Sequence, residues 1–362
     1  MATKNILAGT RKGLVVFRQN ARGQWKHHQT HFLGLPVSLA TYDPFTRYFW
    51  AMLDHGHWGC KLHRSKDGEH WEELEAPKYP EGAEVKPGVP ASTTYLWSFA
   101  SAGSFYPGKI YIGTEPGGLF VSENNGDDWR LVESLWHHPT REKQWFGGGR
   151  DQAAIHSILI NPENPEHLFV GISVAGVFES SDGAKSWNPR NKGLTADFLP
   201  VPNSEVGQDP HLVDMCNARP EVMWQQNHCG IFRTTNGGQR WHDVSEKDGS
   251  ANFGFAIAAH PDNPDVAWVV PGISDEIRVA YDQALCVCRT EDGGKSWQSF
   301  NQGLPQENVF DITYRHALDI HQNEVVFGTT TGNLYLSKND GESWECLSHN
   351  LPMIYSLEFF EI

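Results

Sequence analysis

Histidines, arginines and carboxylates recur at a few comparable places in this 362-residue chain. His156 stands in AIHSILINPENP and His211 in DPHLVDMCNARP. Aligned through Pro165 and Pro220, the two fall at one position of two neighbouring segments. QQNHCG adds Asn227 and His228, and GTEPGG adds Glu115. GTRKG contributes Arg11, ITYRHALDI contributes Arg315, and PGISDEIRVAYDQ contributes Asp275 and Arg278. LDHGHWG offers Asp54 and His57, while Trp97 sits beside Ser98 in a further segment.

These residue types support three chemistries. Neutral imidazoles of His156, His211 and His228, from separate segments, are able to hold Zn, Mn, Fe or Cu with one position left to water. Alternatively, a histidine or Glu115 carries a proton without metal, while Arg11, Arg315 or Arg278 binds an anionic substrate beside Trp97, His57 and Asn227. A pair of opposed carboxylates, drawn from Glu115, Glu205, Asp54 and Asp275, is what a glycosidase requires. Against all three stands a hydrated polar surface without chemistry, since 18 histidines place some together by chance.

What must position these residues is a repeat. The motif Ser/Thr-x-Asp/Asn-x-Gly-x-x-Trp occurs as SKDGEHW (65–71), SENNGDDW (122–129), SSDGAKSW (180–187), TTNGGQRW (234–241), TEDGGKSW (290–297) and SKNDGESW (337–344). A degenerate copy, RQNARGQW, ends at Trp25. Upstream of each copy come short apolar runs with period-two alternation and glycine-rich turns, and no long helical stripe appears. A spacing of about fifty residues with four strands per unit predicts propeller blades. The terminal segment MIYSLEFFEI reads as an inner strand, and NILAGTRKGLVVF as the two strands beside it. The expected fold is all-β: one domain over residues 1–362, a seven-bladed β-propeller of four-stranded blades. Pairing of the N- and C-terminal segments closes it and so removes two exposed edges.

The repeated motif resembles the Asp-box, or BNR, repeat of sialidases, xyloglucan-degrading enzymes and sortilin-type receptors. Over essentially its whole length the chain is similar to bacterial BNR-repeat proteins described as sialidase-like or glycosyl hydrolase-like. That resemblance implies a propeller with glycosyl hydrolase-like activity on a carbohydrate, or else a non-catalytic propeller that binds glycan or protein; the polar residues expected at the channel mouth fit a hydrolase or lyase acting on a small polar substrate. The Arg-Ile-Pro motif of sialidases is absent, and Lys12-Gly13 follows Arg11, which argues against sialidase activity.

Within the motif the Asp/Asn accepts hydrogen bonds from turn N–H groups and the glycine takes a positive φ, so each copy is a scaffold turn. One carboxylate per blade spreads around a ring and does not converge on one substrate atom. The motif marks the face carrying the third-to-fourth strand turns, so a site is expected at the opposite mouth. The long connections rich in aromatics, such as ESLWHHPTREKQWFGGGRDQ and GLTADFLPVPNSEVGQDP, also lie there.

A formal charge of −15 disfavours a nucleic-acid partner. No apolar run is long enough to span a membrane, and the first residues lack a signal-peptide core, so a cytoplasmic protein with a small-molecule or carbohydrate ligand is expected. The six cysteines form no CxxC pair and are expected to be buried free thiols. Oligomeric state leaves no trace in the sequence.

Overall fold

Residues 3–362 are described by a computed structural model. They form seven four-stranded antiparallel sheets, plus a two-stranded hairpin at 84–90. The second strand of a blade is the most hydrophobic: Tyr48–Asp54, Leu168–Ile172, Ala267–Pro271 and Glu324–Gly328 are buried nearly throughout. Both faces of such a strand meet neighbouring blades, so its residues need not alternate between apolar and polar. Five of the outermost strands, among them Glu72–Leu74, Asn188–Pro189 and His242–Asp243, are two or three residues long, while Trp25–His31 and Glu345–Ser348 are longer. Short polar edges of this kind resist pairing with another chain. Among the described residues the α-helices are two single turns, Glu133–Trp136 and Arg141–Gln144, and no helix is long and apolar enough to cross a membrane.

Blade one is made from both ends of the chain. Its inner strand Ile354–Glu361 pairs antiparallel with Lys4–Thr10, running from Lys4 opposite Glu361 to Thr10 opposite Ile354. Gly13–Gln19 and Trp25–His31 complete it. The closure expected from MIYSLEFFEI and NILAGTRKGLVVF is present.

The repeated turn is held as its residues dictate. In TEDGGKSW the Thr290 hydroxyl donates to Asp292 Oδ1 (3.0 Å) and accepts from the Gly294 N–H (2.9 Å). Asp292 Oδ1 also accepts from the Ser296 N–H. The Ser296 hydroxyl, and then that N–H, lower the Asp292 pKa to about 2. Gly294 has φ +84°, and Ala184 is held at φ +67° in the third copy, where the other copies have glycine. Trp297 donates its indole N–H to Val244 O (2.7 Å) and Trp241 donates to Arg190 O (2.7 Å). These two tryptophans therefore fasten their blades to the preceding ones, whereas the indole N–H groups of Trp71, Trp129 and Trp344 have no partner among the described residues.

Two features of the inner strands matter for function. Six of them bulge at one equivalent place, leaving an extra residue out of register with the second strand: Ser38, Trp97, His156, His211, Phe255 with Ala256, and Tyr355. A bulge re-aims the side chain it carries. In blade three that residue is Trp97. Ser98, beside it, is paired with Gly113 and donates to Ile155 O.

At the other end of the same strands, carboxyl groups tie blade to blade. Asp214 accepts from Ala259 N (2.7 Å), Asp319 from Phe359 N (2.6 Å) and Glu358 from Tyr42 N (2.8 Å). All three line one cavity of about 370 Å³ in the central channel. Burial pushes them up, to about 6, about 7 and about 8 respectively; Asp319 and Asp43 add to the effect on Glu358. A carboxyl raised on folding binds a proton more tightly in the native state. It therefore stabilises the fold fully below the ordinary carboxyl range and loses that contribution as pH rises through its folded pKa. Between about pH 4.5 and 8 the Glu358→Gln variant should gain stability relative to the parent, by at most about 1.4 kcal/mol per pH unit. Urea unfolding at pH 5 and pH 8 measures this. A constant difference between the two proteins would show that Glu358 does not titrate there.

Candidate functional site

A second cavity, of about 380 Å³, opens at the channel mouth where the inner strands begin. Five of the bulge residues, Ser38, Trp97, His211, Phe255 and Tyr355, line it. Blade seven adds Tyr314, Arg315 and His316 just before its inner strand. The turn after Met223–Asn227 supplies His228, and the long connection after Ala267–Pro271 supplies Asp275 and Arg278. The loops leading into the inner strands of blades four and five supply Arg150 and Asp209. Arg315 and His316 line both cavities and so form the floor between them.

Asp209, His211 and His228 converge. Asp209 Oδ2 lies 3.7 Å from His211 Nε2 and 3.6 Å from His228 Nδ1. Asp209 Oδ1 accepts from Val174 N (3.0 Å), which fixes the carboxylate with its other oxygen toward the imidazoles. His211 is 2% exposed, stacks on Phe255 at 4.5 Å, and donates from Nδ1 to Gly254 O (2.7 Å). His228 is half-buried, with Phe198 edge-on at 5.1 Å. Burial acts to raise the Asp209 pKa, but the facing imidazoles and Arg315 outweigh it and hold the carboxyl far below its ordinary range. Burial lowers His211 despite Asp209, whereas the carboxylate raises His228 against a weaker burial effect.

The three arginines differ in their partners. Arg150 pairs with Glu115 and lies 4.0 Å over the Tyr95 ring. Arg278 is bound to Asp275 Oδ1 (2.7 Å) and its backbone carbonyl. Arg315 makes no ion pair among the described residues, and its Nε has no hydrogen-bond partner. Its guanidinium sits 4.9 Å from Trp97 and 5.2 Å from Phe255. Burial lowers its pKa to about 10, partly offset by Asp209, so it remains charged at neutral pH.

Of the residues singled out from sequence, His211, His228, Arg315, Arg278 and Trp97 line this cavity. His156 does not. Its ring is fully buried, with Nδ1 at 2.9 Å from Ser157 Oγ and Trp97 edge-on at 5.8 Å; it lines the other cavity. The place expected for it beside His211 and His228 belongs to Asp209. Glu115 is buried in the wall, held by Arg150 and Gln152 N, so it is not a free proton carrier. Asn227 caps its own turn through Cys229 N and Gln225 Oε1. His57 is exposed in the turn Gly56–Trp58, and Arg11 is exposed in the turn before Gly13–Gln19. Neither lines the cavity, nor do Asp54 and Glu205. Of the six cysteines, all unpaired, Cys216 and Cys288 are buried and the rest half-buried.

Sequence reasoning passed over Asp209 and Arg150. Asp209 precedes His211 by two residues, a spacing that puts both on one side of an extended chain. Arg150 had no comparable signal in its glycine-rich loop.

No family model matches the chain, and no curated protein does. Solved structures do. An ancestral GH74 enzyme is similar over 90% of this chain with 18% identity and a TM-score of 0.56. The chain spans only 38% of that enzyme's length. YCF48 from Cyanidioschyzon merolae is similar over 88% of this chain and 87% of its own, with 14% identity and a TM-score of 0.56. YCF48 bound to D1 peptide is similar over 85% and 83%, with 13% identity and a TM-score of 0.50. Likeness at this identity establishes what the sheets themselves show: the chain is a seven-bladed β-propeller of four-stranded blades.

Proposed function

We propose that the channel-mouth cavity is the active site of a hydrolase or lyase acting on a small, anionic, polar molecule. Asp209, His211 and His228 form the reactive centre, Arg315 grips the anion, and Trp97, Phe255, Tyr314 and Tyr355 form the walls. The observation that carries this reading is Arg315: a charged guanidinium deep in a protein cavity, without an anionic partner, facing that centre. An unpaired charge in such a place is costly unless a ligand completes it. Arg150 and Arg278, already engaged by carboxylates, shape the rim. A cavity of this size suits a metabolite-sized ligand rather than a polymer.

The likeness to a GH74 enzyme makes a sugar-derived substrate attractive. However, the second carboxylate of the lining, Asp275, is occupied by Arg278. This favours a sugar acid or sugar phosphate, bound through its anion, over a neutral glycan cleaved by two opposed carboxylates.

Thermal-shift and calorimetric titration with glucuronate, citrate, glycerol phosphate and neutral glucose tests the reading. The anions are expected to stabilise the protein, by about 2.7 kcal/mol at a hundred times Kd. Stabilisation by glucose with none by the anions would overturn it. Binding only of an extended peptide would instead favour a docking module, as in YCF48 bound to D1 peptide.

A further inference from the structure

We infer that Asp209, His211 and His228 are the ligands of a divalent transition-metal ion, bound through Asp209 Oδ2, His211 Nε2 and His228 Nδ1. The inference rests on the same site as the proposed function and names the cofactor of its reactive centre.

The argument begins with a proton. His211 Nδ1 is 2.7 Å from Gly254 O, and a backbone carbonyl only accepts. Nδ1 therefore carries the hydrogen, and in the neutral ring Nε2 is a bare lone pair. That lone pair faces the Asp209 Oδ2 acceptor at 3.7 Å. Two acceptors pointing at each other in a buried place repel unless a cation lies between them. The separations of 3.6 and 3.7 Å from Asp209 Oδ2 exceed hydrogen-bond length. They lie within a few tenths of an ångström of the ~3.3–3.4 Å between neighbouring ligands of one tetrahedral ion at metal–ligand distances of about 2.0–2.1 Å. The three ligand atoms all lie within 4.8 Å of one another.

The surroundings are those of a supported site. A ligating histidine usually donates its other N–H to a carbonyl or carboxylate, which fixes its tautomer, and Gly254 O does this for His211. Phe255 stacks on the ring and holds its plane. Val174 N holds the second Asp209 oxygen and so orients the first. Two imidazoles and one carboxylate favour a borderline ion such as Zn or Fe(II) over hard, all-oxygen ions and leave positions open for water or a substrate oxygen. All three residues line the cavity that contains Arg315, so an anion held by that guanidinium lies beside the open positions.

The test uses the full-length protein stripped with chelator and the metal alone. Titration with Co(II) and Zn(II), followed by calorimetry and by the visible absorption of bound Co(II), should give one site per chain. His228→Ala and Asp209→Asn should each weaken binding about a hundredfold or more. His57→Ala, an exposed residue outside the cavity lining, should bind as the parent does. His228 is half-buried, so its variant is expected to fold, and a thermal melt checks each protein. No stoichiometric Co(II) or Zn(II) binding by the folded parent would overturn the inference. So would unchanged binding by both folded variants. Anion binding measured on the metal-free protein keeps the two ideas apart. Anions bound without any metal uptake would sink the metal site and leave the proposed function standing. Metal uptake without anion binding would do the reverse.

Discussion

A chain ending at Pro352 is expected not to fold. The missing inner strand of blade one buries Ile354, Leu357, Phe359 and Phe360, each with less than a tenth of its surface exposed. At about 1.5–3 kcal/mol for each such side chain, the lost burial alone is comparable with the total stability of an ordinary domain. The cut also unpairs one edge of Lys4–Thr10 and removes the Glu358 and Phe359 bonds to blades two and seven. The truncated protein should aggregate and show no cooperative melt by circular dichroism. A circular permutant distinguishes loss of the strand from loss of a chain end. Thr3 and Ile362 are bonded through their backbones (2.8 and 3.3 Å), so a short linker can join them. New ends placed in the exposed turn at 87–88 should leave the melting temperature within a few degrees of the parent. A sharp transition for the truncated chain near that of the full chain would show that the ring does not depend on its closure.

The second large effect is expected from Arg315→Met, with opposite signs for stability and for binding. Methionine keeps an unbranched chain between Trp97 and Phe255 but removes an unpaired charge. Replacing such a charge by an apolar group of similar shape commonly stabilises by about 1–4 kcal/mol. In a chain of this length that is a rise of a few degrees in melting temperature. Binding of the anions should weaken about a hundredfold or more, since the charge that grips them is gone. Arg315→Lys keeps the charge without the planar fork and should fall between the two. A lower melting temperature with unchanged anion affinity would make Arg315 a structural residue and remove the observation on which the proposed function stands.

Much of this was legible in the chain. The spacing of the six tryptophan turns and the split first blade announced seven blades because each blade is a local unit whose turns are written in nearby residues. The same reading brought His211, Trp97 and Arg315 toward one mouth, since comparable positions of repeated blades must point into one channel. It failed for His156 at the very position where it succeeded for His211. Both are buried bulge residues, yet the His211 ring donates to Gly254 O and lines the mouth cavity, whereas His156 meets Ser157 and Trp97 and lines the other cavity. Which of the two reaches the cavity depends on the neighbouring blade, more than forty residues away in the chain.

The sequence by itself determined the repeat, the face that carries the scaffold turns, and the set of polar residues sent to the opposite mouth. Those are consequences of periodicity and turn chemistry, which act over a few residues. Only the tertiary structure decided which charges are spent on one another. Glu115 is taken by Arg150 and Asp275 by Arg278, while Arg315 has no anion, and Asp209 stands with two histidines. Asp275 and Arg278 are only three residues apart and Asp209 and His211 only two, yet nearness along the chain does not say which charges meet: the folded path of the loops sets the distances in space, and electrostatic energies follow those distances.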